Sequence, residues 1–236
     1  YMSKIQRSVL DELCRFSSAT IFNAVVEAMG GTQGGIELSG KGGQPICYTD
    51  QTLQYMLPEF GTVSGYAVTM ELTPMDPNAV RNPWEEYYGL LDETEGPIMA
   101  FIKDVDKQPG RGASFGDNMA NVLKKLDVAG VIVEGTVRDL YGIKEAGLPI
   151  WGTGRVPGHG VFSLTSVNKI IEVAGLTVTP GEIAVADEEG CSLIPGSIDP
   201  TLILKHADSI TQRETEFQNK VRKPNFNLND YYKIIH

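Results

Sequence analysis

Asp117, Arg138 and Asp139 are the residues whose types and spacing could carry out chemistry together. Twenty residues lie between Asp117 and Arg138, and they predict a helix over about 117–128 followed by a buried strand over 131–135. A helix of about 12 residues advances about 18 Å, and a returning strand of about 6 residues covers about 20 Å. Because the outward and return paths match in length, Arg138 and Asp139 are predicted to lie level with the start of the helix.

The start of that helix is predicted to bind an anion. Its first backbone N–H groups have no partner within the helix and point outward. These N–H groups belong to Asp117, Asn118 and Met119. Gly116 allows a ligand to approach the backbone closely, and Arg138 can grip a carboxylate with a two-pronged fork. Asp139 is a hard oxygen ligand suited to Mg²⁺ or Mn²⁺. These groups describe a site for a small 2-oxo acid that chelates a metal ion.

The same residues also have ordinary structural roles. Asp117 could cap its own helix, which is the most common task of aspartate at such a position. Arg138 and Asp139 could form a surface pair at the end of a strand, or Asp139 could cap the next helix. The pattern alone leaves these alternatives open.

Glu214 is a further candidate because it lies on the apolar stripe of a predicted C-terminal helix over 199–222. The apolar positions of that stripe are Ile203, Ala207, Ile210, Phe217 and Val221. A carboxylate on such a stripe must be paired, bind a metal ion or occupy an interface cavity. Equally, Glu214 could be exposed at the edge of the stripe or pair with Arg213 or Arg222.

Ser114 stands in GASFG (112–116), which matches the GxSxG pattern of serine hydrolases. That pattern requires a strand to turn directly into a helix at the serine, yet about nine polar residues precede Ser114. A serine hydrolase also needs an acid and then a histidine downstream of the serine. Asp187 followed by His206 is the only pair that loosely fits this order. A hydrolase centred on Ser114 is therefore a remote alternative.

The elements around these residues alternate between helices and strands and then become hairpins. Helices are predicted over 4–16, 19–29, 139–146 and 199–222, and Pro83 opens a further short helix. Strands are predicted over 65–72, 97–105 and 148–151. Residues 160–195 predict a layer of β-hairpins, and 30–45 and 106–116 predict loops. We expect a single mixed α/β domain over 1–236 with N-terminal helices (1–30), a C-terminal helix (199–222) and a tail (223–236).

Composition narrows the class of protein. The 236 residues include 20 basic and 30 acidic ones, for a net charge of −10, which argues against nucleic acid or an anionic membrane as the main partner. Three widely spaced cysteines, no long apolar run and an N-terminus without a signal-peptide core predict a cytoplasmic protein.

The segment GDNMANVLKKLDVAGVIVEGTVRD (116–139) resembles the D-x20-R-D signature of the 4-hydroxy-4-methyl-2-oxoglutarate aldolases. These class II pyruvate aldolases share their fold with the regulator of ribonuclease E activity A proteins. The likeness continues through LPIWGTGRVP, VAGLTVTPGEIAVADEEGCSLIP and RETE, over about 17–220. It implies a swivelling β/β/α fold and a trimer or a dimer of trimers with active sites between subunits.

The resemblance also implies roles for the candidate residues. Residues 116–119 would cradle the substrate carboxylate, Arg138 would bind the substrate, and Asp139 would hold Mg²⁺ or Mn²⁺. Asp117 would contact metal-bound water, and Glu214, or Glu216 beside it, would reach in from a neighbouring subunit. Segment 74–97 departs from the family pattern and is expected to flank the mouth of the site.

The implied activity is retro-aldol cleavage of a 4-hydroxy-2-oxo acid to pyruvate, with decarboxylation of oxaloacetate as a side activity. The alternative from another class is a non-catalytic binding protein like the ribonuclease regulators. The presence of Asp117, Arg138 and Asp139 together favours the enzyme.

Overall fold

A nine-stranded mixed sheet is the framework of the computed structural model, which describes residues 7–32, 35–38, 46–229 and 232. The helices are α1 (Arg7–Leu13), α2 (Ser18–Ala28), α3 (Trp84–Glu93), α4 (Asp117–Lys125), α5 (Leu140–Ala146) and α6 (Pro200–Val221), and a 3₁₀ turn covers Pro58–Phe60. The first strands are β1 (Gly31–Thr32), β2 (Gly35–Leu38), β3 (Gln54–Tyr55), β4 (Val63–Thr73), β5 (Ile98–Asp104), β6 (Ala113–Phe115) and β7 (Val128–Val137). They are followed by β8 (Ile150–Arg155), β9 (Ser163–Val167), β10 (Ile171–Val173), β11 (Leu176–Val178), β12 (Ile183–Asp187) and β13 (Gly190–Ile194).

The centre of the sheet is parallel and its margins are antiparallel. Strands β4, β5, β7 and β8 run parallel in that spatial order, and β6 pairs in parallel with the end of β7. Strands β12, β13, β9 and β3 add antiparallel pairs at the edges. Parallel neighbours require a crossover connection, and α3, α4 and α5 lie in the three crossovers. The predicted mixed α/β fold with a hairpin layer and a C-terminal helix is confirmed.

Both faces of the sheet are covered by apolar packing. Helices α3, α4 and α5 bury residues such as Tyr87, Leu123 and Ile143 against one face. The β10–β11 hairpin packs on the other face, where Trp151 and Phe101 are fully buried. A third cluster joins α1, α2 and α6 to β12 and β13. Because the parallel strands are buried on both sides, they appear in the sequence as nearly continuous apolar runs.

Several predicted boundaries differ from the structure. The predicted loop over 30–45 contains the β1–β2 hairpin, while 33–34 and 39–45 lie outside the described residues. The predicted loop over 106–116 contains β6, whose three residues are too few to give a periodic signal. Helix α4 ends at Lys125 rather than near 128, because Asp127 adopts a left-handed backbone with φ 58°.

The N-terminal helices differ less from the prediction. Helix α1 covers Arg7–Leu13, so it ends three residues before the predicted end at Phe16, and the predicted residues 4–6 lie outside the described part of the chain. Helix α2 begins at Ser18, one residue before the predicted start, and the Ser17 side chain caps it by accepting a hydrogen bond from the backbone N–H of Thr20. Within the described ranges, no helix combines the length and the apolar character needed to cross a membrane.

Candidate active site

The turn between β7 and α5 presents two adjacent charged side chains. Arg138 and Asp139 follow the carboxyl end of β7, and the backbone N–H of Arg138 donates to the carbonyl of Phe115 in β6 at 3.0 Å. Asp139 takes the N-cap position of α5 in a left-handed conformation, with φ 58° and ψ 39°. Its carbonyl accepts from the N–H of Ile143, but its side chain makes no capping hydrogen bond to the helix. The carboxylate therefore faces Arg138 instead of the helix start.

Arg138 and Asp139 form an ion pair, with Arg138 Nε 3.0 Å from Asp139 Oδ2. Their side chains are 32% and 42% exposed, so both remain accessible to a small ligand. An exposed pair of this kind adds about 0–1 kcal/mol to stability. Its chemical interest therefore lies in what else these groups can bind.

Gly116 brings the start of α4 against this pair. A Cβ atom built on Gly116 would lie 3.3 Å from Asp139 Oδ2 and 3.4 Å from Arg138 Nε. The φ of Gly116 is −153°, an extended conformation open to any residue, so it is the close approach rather than the backbone that favours glycine here. The structure thus brings Gly116, Arg138 and Asp139 together as predicted, although α4 has only 9 residues and β7 has 10, so the strand is much longer than the helix and the predicted match in length is wrong.

The amino end of α4 points its unused N–H groups into the same place. The first hydrogen bond of the helix runs from the N–H of Ala120 to the carbonyl of Gly116. The N–H groups of Asp117, Asn118 and Met119 precede that bond, at the positions where a helix has donors to spare. Together with the positive end of the helix dipole, they can hold a carboxylate.

Asp117 does not cap α4, because Gly116 occupies the N-cap position and Asp117 is the first helical residue. Its side chain packs against α5, where a Cβ atom on Gly142 would lie 2.6 Å from Asp117 Oδ2. The glycine therefore makes room for the carboxylate between two helices. This placement fixes Asp117 beside the turn that carries Asp139.

A pocket of about 150 Å³ opens at this point. Its lining includes the predicted residues Gly116, Asp117, Asn118, Met119 and Arg138. It also includes four residues that the sequence did not single out, namely Ala113, Phe115, His159 and Phe162. The first two belong to β6, and the other two belong to the loop between β8 and β9. No local pattern marks that loop as part of the site, since only the tertiary fold places it there.

Backbone hydrogen bonds hold the β8–β9 loop over the pocket. The N–H of Ala113 donates to the carbonyl of Gly158 at 2.8 Å, and the N–H of Gly160 donates to the carbonyl of Pro74 at 2.8 Å. His159 Nδ1 lies 2.9 Å from the carbonyl oxygen of Gly160, which accepts a hydrogen bond when Nδ1 carries the proton. The loop is thus attached to β6 on one side and to segment 74–97 on the other.

Segment 74–97 packs against one residue of the pocket lining. Trp84, the first residue of α3, stacks on Phe162 with ring centroids 5.5 Å apart and an interplanar angle of 9°. Since Phe162 lines the pocket, the segment flanks the site as expected from the sequence.

Two aspartates fix the loops beside the pocket. Asp104 accepts hydrogen bonds from the N–H groups of Asp106 and Gly110, and burial raises the pKa of its carboxyl group. Asp106 accepts from Thr73 Oγ1 and from the N–H of Met75. Burial alone would raise the pKa of Asp106, but these hydrogen bonds outweigh it and leave the pKa below its ordinary value.

The donor set fits a divalent ion that takes most of its ligands from water and substrate. Across the described residues, no cluster of three or more His, Cys, Asp and Glu side chains could enclose a metal ion. Mg²⁺ is commonly bound through one or two carboxylates and keeps several waters. Asp139, 42% exposed and beside the anion cradle, can provide one such carboxylate, with Asp117 nearby.

Glu214 is not brought to the pocket of its own chain. It is half-buried on α6, whose buried residues Ile203 and Ile210 pack with α1 and α2 rather than with the pocket lining. Glu216 is exposed and accepts a hydrogen bond from Gln212 Nε2 at 3.1 Å. A contact from either glutamate to the site of a neighbouring subunit stays a prediction.

The remote serine hydrolase hypothesis is wrong. Ser114 lies inside β6 with no exposed surface and is not at a strand-to-helix turn. Asp187 accepts from the N–H and Oγ of Ser18, both at 2.7 Å. His206 pairs through Nδ1 with Glu27 at 3.1 Å. The supposed acid and base therefore serve separate structural contacts, and the serine is buried inside a strand.

Comparison with known proteins identifies relatives of this chain by sequence. A curated 4-hydroxy-4-methyl-2-oxoglutarate aldolase from Thermus thermophilus is 32% identical over 86 residues, which cover 36% of this chain and 52% of that protein. The chain spans about half the length of the curated relatives it matches, including 45% of one from Halalkalibacterium halodurans.

Two solved structures share the fold across nearly the whole chain. A protein from Streptomyces coelicolor, described as an unusual member of the RNase ES inhibitor RraA protein family, has a TM-score of 0.67 and 20% identity, covering 94% of this chain and 100% of its own. An uncharacterized protein from Pseudomonas syringae has a TM-score of 0.74 and 17% identity, covering 99% and 97%.

The family model described as "RraA-like: Aldolase/RraA" matches residues 25–192, which is most of the chain and contains the whole pocket lining. With the mixed α/β fold and the Asp117, Arg138 and Asp139 set in place, this match shows that the chain belongs to the RraA-like Aldolase/RraA family.

Proposed function

We propose that this chain is a divalent-metal-dependent lyase that cleaves a 4-hydroxy-2-oxo acid to pyruvate and a carbonyl product. The observation that carries the proposal is the contact of Gly116 with both Arg138 and Asp139, at the amino end of α4. Arg138 and residues 117–119 line one small pocket, and the Asp139 carboxylate lies next to that lining, paired with Arg138. This combination suits the carboxylate and keto oxygens of a 2-oxo acid.

Binding and orientation of the substrate fall to α4 and Arg138. The N–H groups at 117–119 and the guanidinium hold the substrate carboxylate, which fixes the direction of the 2-oxo group. Negative charge develops on the 2-oxo oxygen as the enolate of pyruvate forms, and Arg138 stabilises it. Mg²⁺ or Mn²⁺ held by Asp139 would, when bound, polarise the 2-oxo group as a Lewis acid.

Cleavage requires a proton to leave the 4-hydroxyl group. We assign this proton transfer to Asp117, acting through a water molecule, with Glu214 of a neighbouring subunit as a second contact in a trimer or hexamer. As the proton leaves, the C3–C4 bond breaks, C4 becomes a carbonyl, and the bonding electron pair forms the enolate. Protonation at C3 then gives pyruvate. Decarboxylation of oxaloacetate passes through the same enolate without this base, so it is expected as a side activity.

The proposal is tested by measuring pyruvate release from a 4-hydroxy-2-oxo acid and from oxaloacetate. Both reactions should require Mg²⁺ or Mn²⁺ and stop when EDTA is added. Asp139→Asn keeps the shape of the side chain and tolerates the left-handed backbone, yet it should lower turnover about 100-fold or more. Glu12→Gln, an exposed change on α1, is the control and should have no effect.

Two results would contradict the proposal. Metal-independent turnover, or full turnover in Asp139→Asn, would remove Asp139 from the reaction. Stable association with a ribonuclease in a pull-down, without any metal-dependent turnover, would favour a regulatory binding protein instead.

A further inference from the structure

His159 is an ionisable residue of the pocket lining to which the proposed reaction gives no role. The described lining holds two other ionisable side chains, Asp117 and Arg138. A guanidinium keeps its proton in proteins, and Asp117 is assigned to the 4-hydroxyl group of the substrate. An imidazole, by contrast, both gives and takes a proton near neutral pH. His159 is therefore a candidate for the proton transfer whose source is still open, the one to C3.

The two peptide units next to His159 are fixed by backbone hydrogen bonds. The carbonyl of Gly158 accepts from the N–H of Ala113, and the N–H of Gly160 donates to the carbonyl of Pro74, both at 2.8 Å. Ala113 itself lines the pocket. The His159 side chain is exposed, yet its backbone is held at the pocket on both sides.

The imidazole of His159 also packs against a ring that is itself held in place. Its centroid lies 5.3 Å from that of Phe162, with the planes tilted by 55°. Phe162 stacks in turn on Trp84, with centroids 5.5 Å apart. The φ of Phe162 is 57°, a left-handed conformation that a bulky residue keeps only where its surroundings impose it. The β8–β9 loop therefore presents the imidazole from a fixed support.

One nitrogen of the imidazole is used in the loop, which leaves the other for chemistry. Nδ1 lies 2.9 Å from the carbonyl oxygen of Gly160. A carbonyl oxygen can only accept, so Nδ1 carries the proton in this hydrogen bond. Nε2 then has a lone pair in the neutral imidazole and an exchangeable proton in the imidazolium. In this conformation, a proton that His159 gives or takes passes through Nε2.

We propose that His159 is a catalytic residue that transfers a proton through Nε2 to C3 of the pyruvate enolate. This inference rests on the proposed function for the enolate and its orientation. The C2–C3 π electron pair forms a bond to the proton on Nε2, the electrons of the N–H bond stay on Nε2, and the 2-oxo group is restored. Water then returns a proton to the exposed imidazole. In the reverse direction, neutral His159 removes a proton from the methyl group of pyruvate.

The reverse step can be measured without any cleavage, because it exchanges the methyl protons of pyruvate for deuterium from the solvent. In D₂O with Mg²⁺, ¹H NMR should show the pyruvate methyl signal decay in the presence of the full wild-type chain. His159→Gln keeps a polar side chain but cannot give or take a proton, and it should slow this exchange by about 100-fold or more. An exchange rate in His159→Gln equal to that of the wild type would overturn the proposal.

Cleavage by the same variant separates a lost acid from a disturbed loop. Release of the carbonyl product from a 4-hydroxy-2-oxo acid does not require protonation at C3, because the enolate can leave the pocket and take a proton from water. His159→Gln should therefore release that product at about one tenth of the wild-type rate or faster. Equal losses of exchange and cleavage would indicate a structural role and overturn the proposal.

Val161→Ala is the matched control in the same loop. Val161 is 42% exposed and lies outside the pocket lining, so its truncation should leave both the exchange rate and the cleavage rate unchanged. The two proposals can fail separately. If the wild type cleaves its substrate and His159→Gln exchanges pyruvate protons normally, only this inference fails. If exchange depends on His159 while no 4-hydroxy-2-oxo acid is cleaved, the proposed function fails and the role of His159 stands.

Discussion

Arg138 Nε lies 3.0 Å from Asp139 Oδ2, so two neighbouring residues of one turn are paired with each other at the edge of the pocket. The contact uses the inner nitrogen of the guanidinium and leaves its two outer nitrogens for a ligand carboxylate. It also fixes the plane of the guanidinium relative to the start of α4. A planar, multi-donor group can serve both partners at once, which a single ammonium group cannot.

Arg138→Lys keeps the positive charge and removes the planar guanidinium, so it tests the geometry of that group. We expect kcat/KM for pyruvate release to fall by about 100-fold, because lysine cannot hold Asp139 and the substrate carboxylate together. The free energy of unfolding should change little, since both side chains are partly exposed. Arg222→Lys on the exposed end of α6 is the matched control. Retention of full activity in Arg138→Lys would show that a point charge suffices.

Gly116→Ala tests the close approach of backbone and ion pair. The added methyl group would lie 3.3 Å from Asp139 Oδ2, so the carboxylate must shift by a few tenths of an ångström. We expect turnover to fall at least tenfold with little loss of stability, because the φ of −153° suits alanine. Gly89→Ala has open space around it on α3 and should raise stability by about 0.5–1 kcal/mol without affecting turnover. Equal activity in both variants would argue against a role for the contact.

Ser114→Ala should leave pyruvate release unchanged. Ser114 is fully buried in β6, and its removal deletes only a hydroxyl group that makes no contact with the pocket. Thermal or urea unfolding should show a change within about 1 kcal/mol. A large loss of turnover with an intact fold would instead revive a catalytic role for the serine.

The lowered pKa of Asp106 predicts that the free energy of unfolding depends on pH. Its folded-state pKa is lowered from the ordinary 3.8, because hydrogen bonds from Thr73, Gln108 and Met75 outweigh the effect of burial. A lowered pKa means that the carboxylate stabilises the fold above pH 3.8 and loses this effect as the pH falls through the folded-state value.

Asp106→Asn should accordingly be less stable than the wild type at pH 7 and approach it in acid. Urea unfolding at a series of pH values measures the difference, with Asp92→Asn, an exposed change on α3, as the control. If the difference in unfolding free energy between the wild type and Asp106→Asn stays constant down to the lowest pH measured, the ionised form of Asp106 does not stabilise the loop.

The sequence anticipates the parts of the site that local rules determine. The helix and strand between Asp117 and Arg138 follow from apolar periodicity, and the pairing of β6 with the end of β7 then holds Arg138 beside Phe115 and Gly116. The mixed parallel and antiparallel sheet follows from the alternation of helices and strands before the hairpins.

The other wall of the pocket depends on long-range contacts that no local pattern encodes. Phe162 and His159 reach the site because Gly158 pairs with Ala113 and Gly160 with Pro74, across more than forty and more than eighty positions of sequence. Likewise, Asp139 is an N-cap residue whose carboxylate does not cap, and only its left-handed backbone in the folded chain explains why.

Segment 74–97 carries Trp84 and is at the same time the crossover between two parallel neighbours, β4 and β5. It leaves the sheet at Thr73 and must re-enter at Ile98, which pairs with Tyr66 near the opposite end of β4. That return path spans about 20 Å of strand, so the segment cannot be trimmed to a tight turn. Shortening the crossover would pull apart β4 and β5 at the centre of the sheet, so the fold itself keeps the segment that carries Trp84 at its full length beside Phe162.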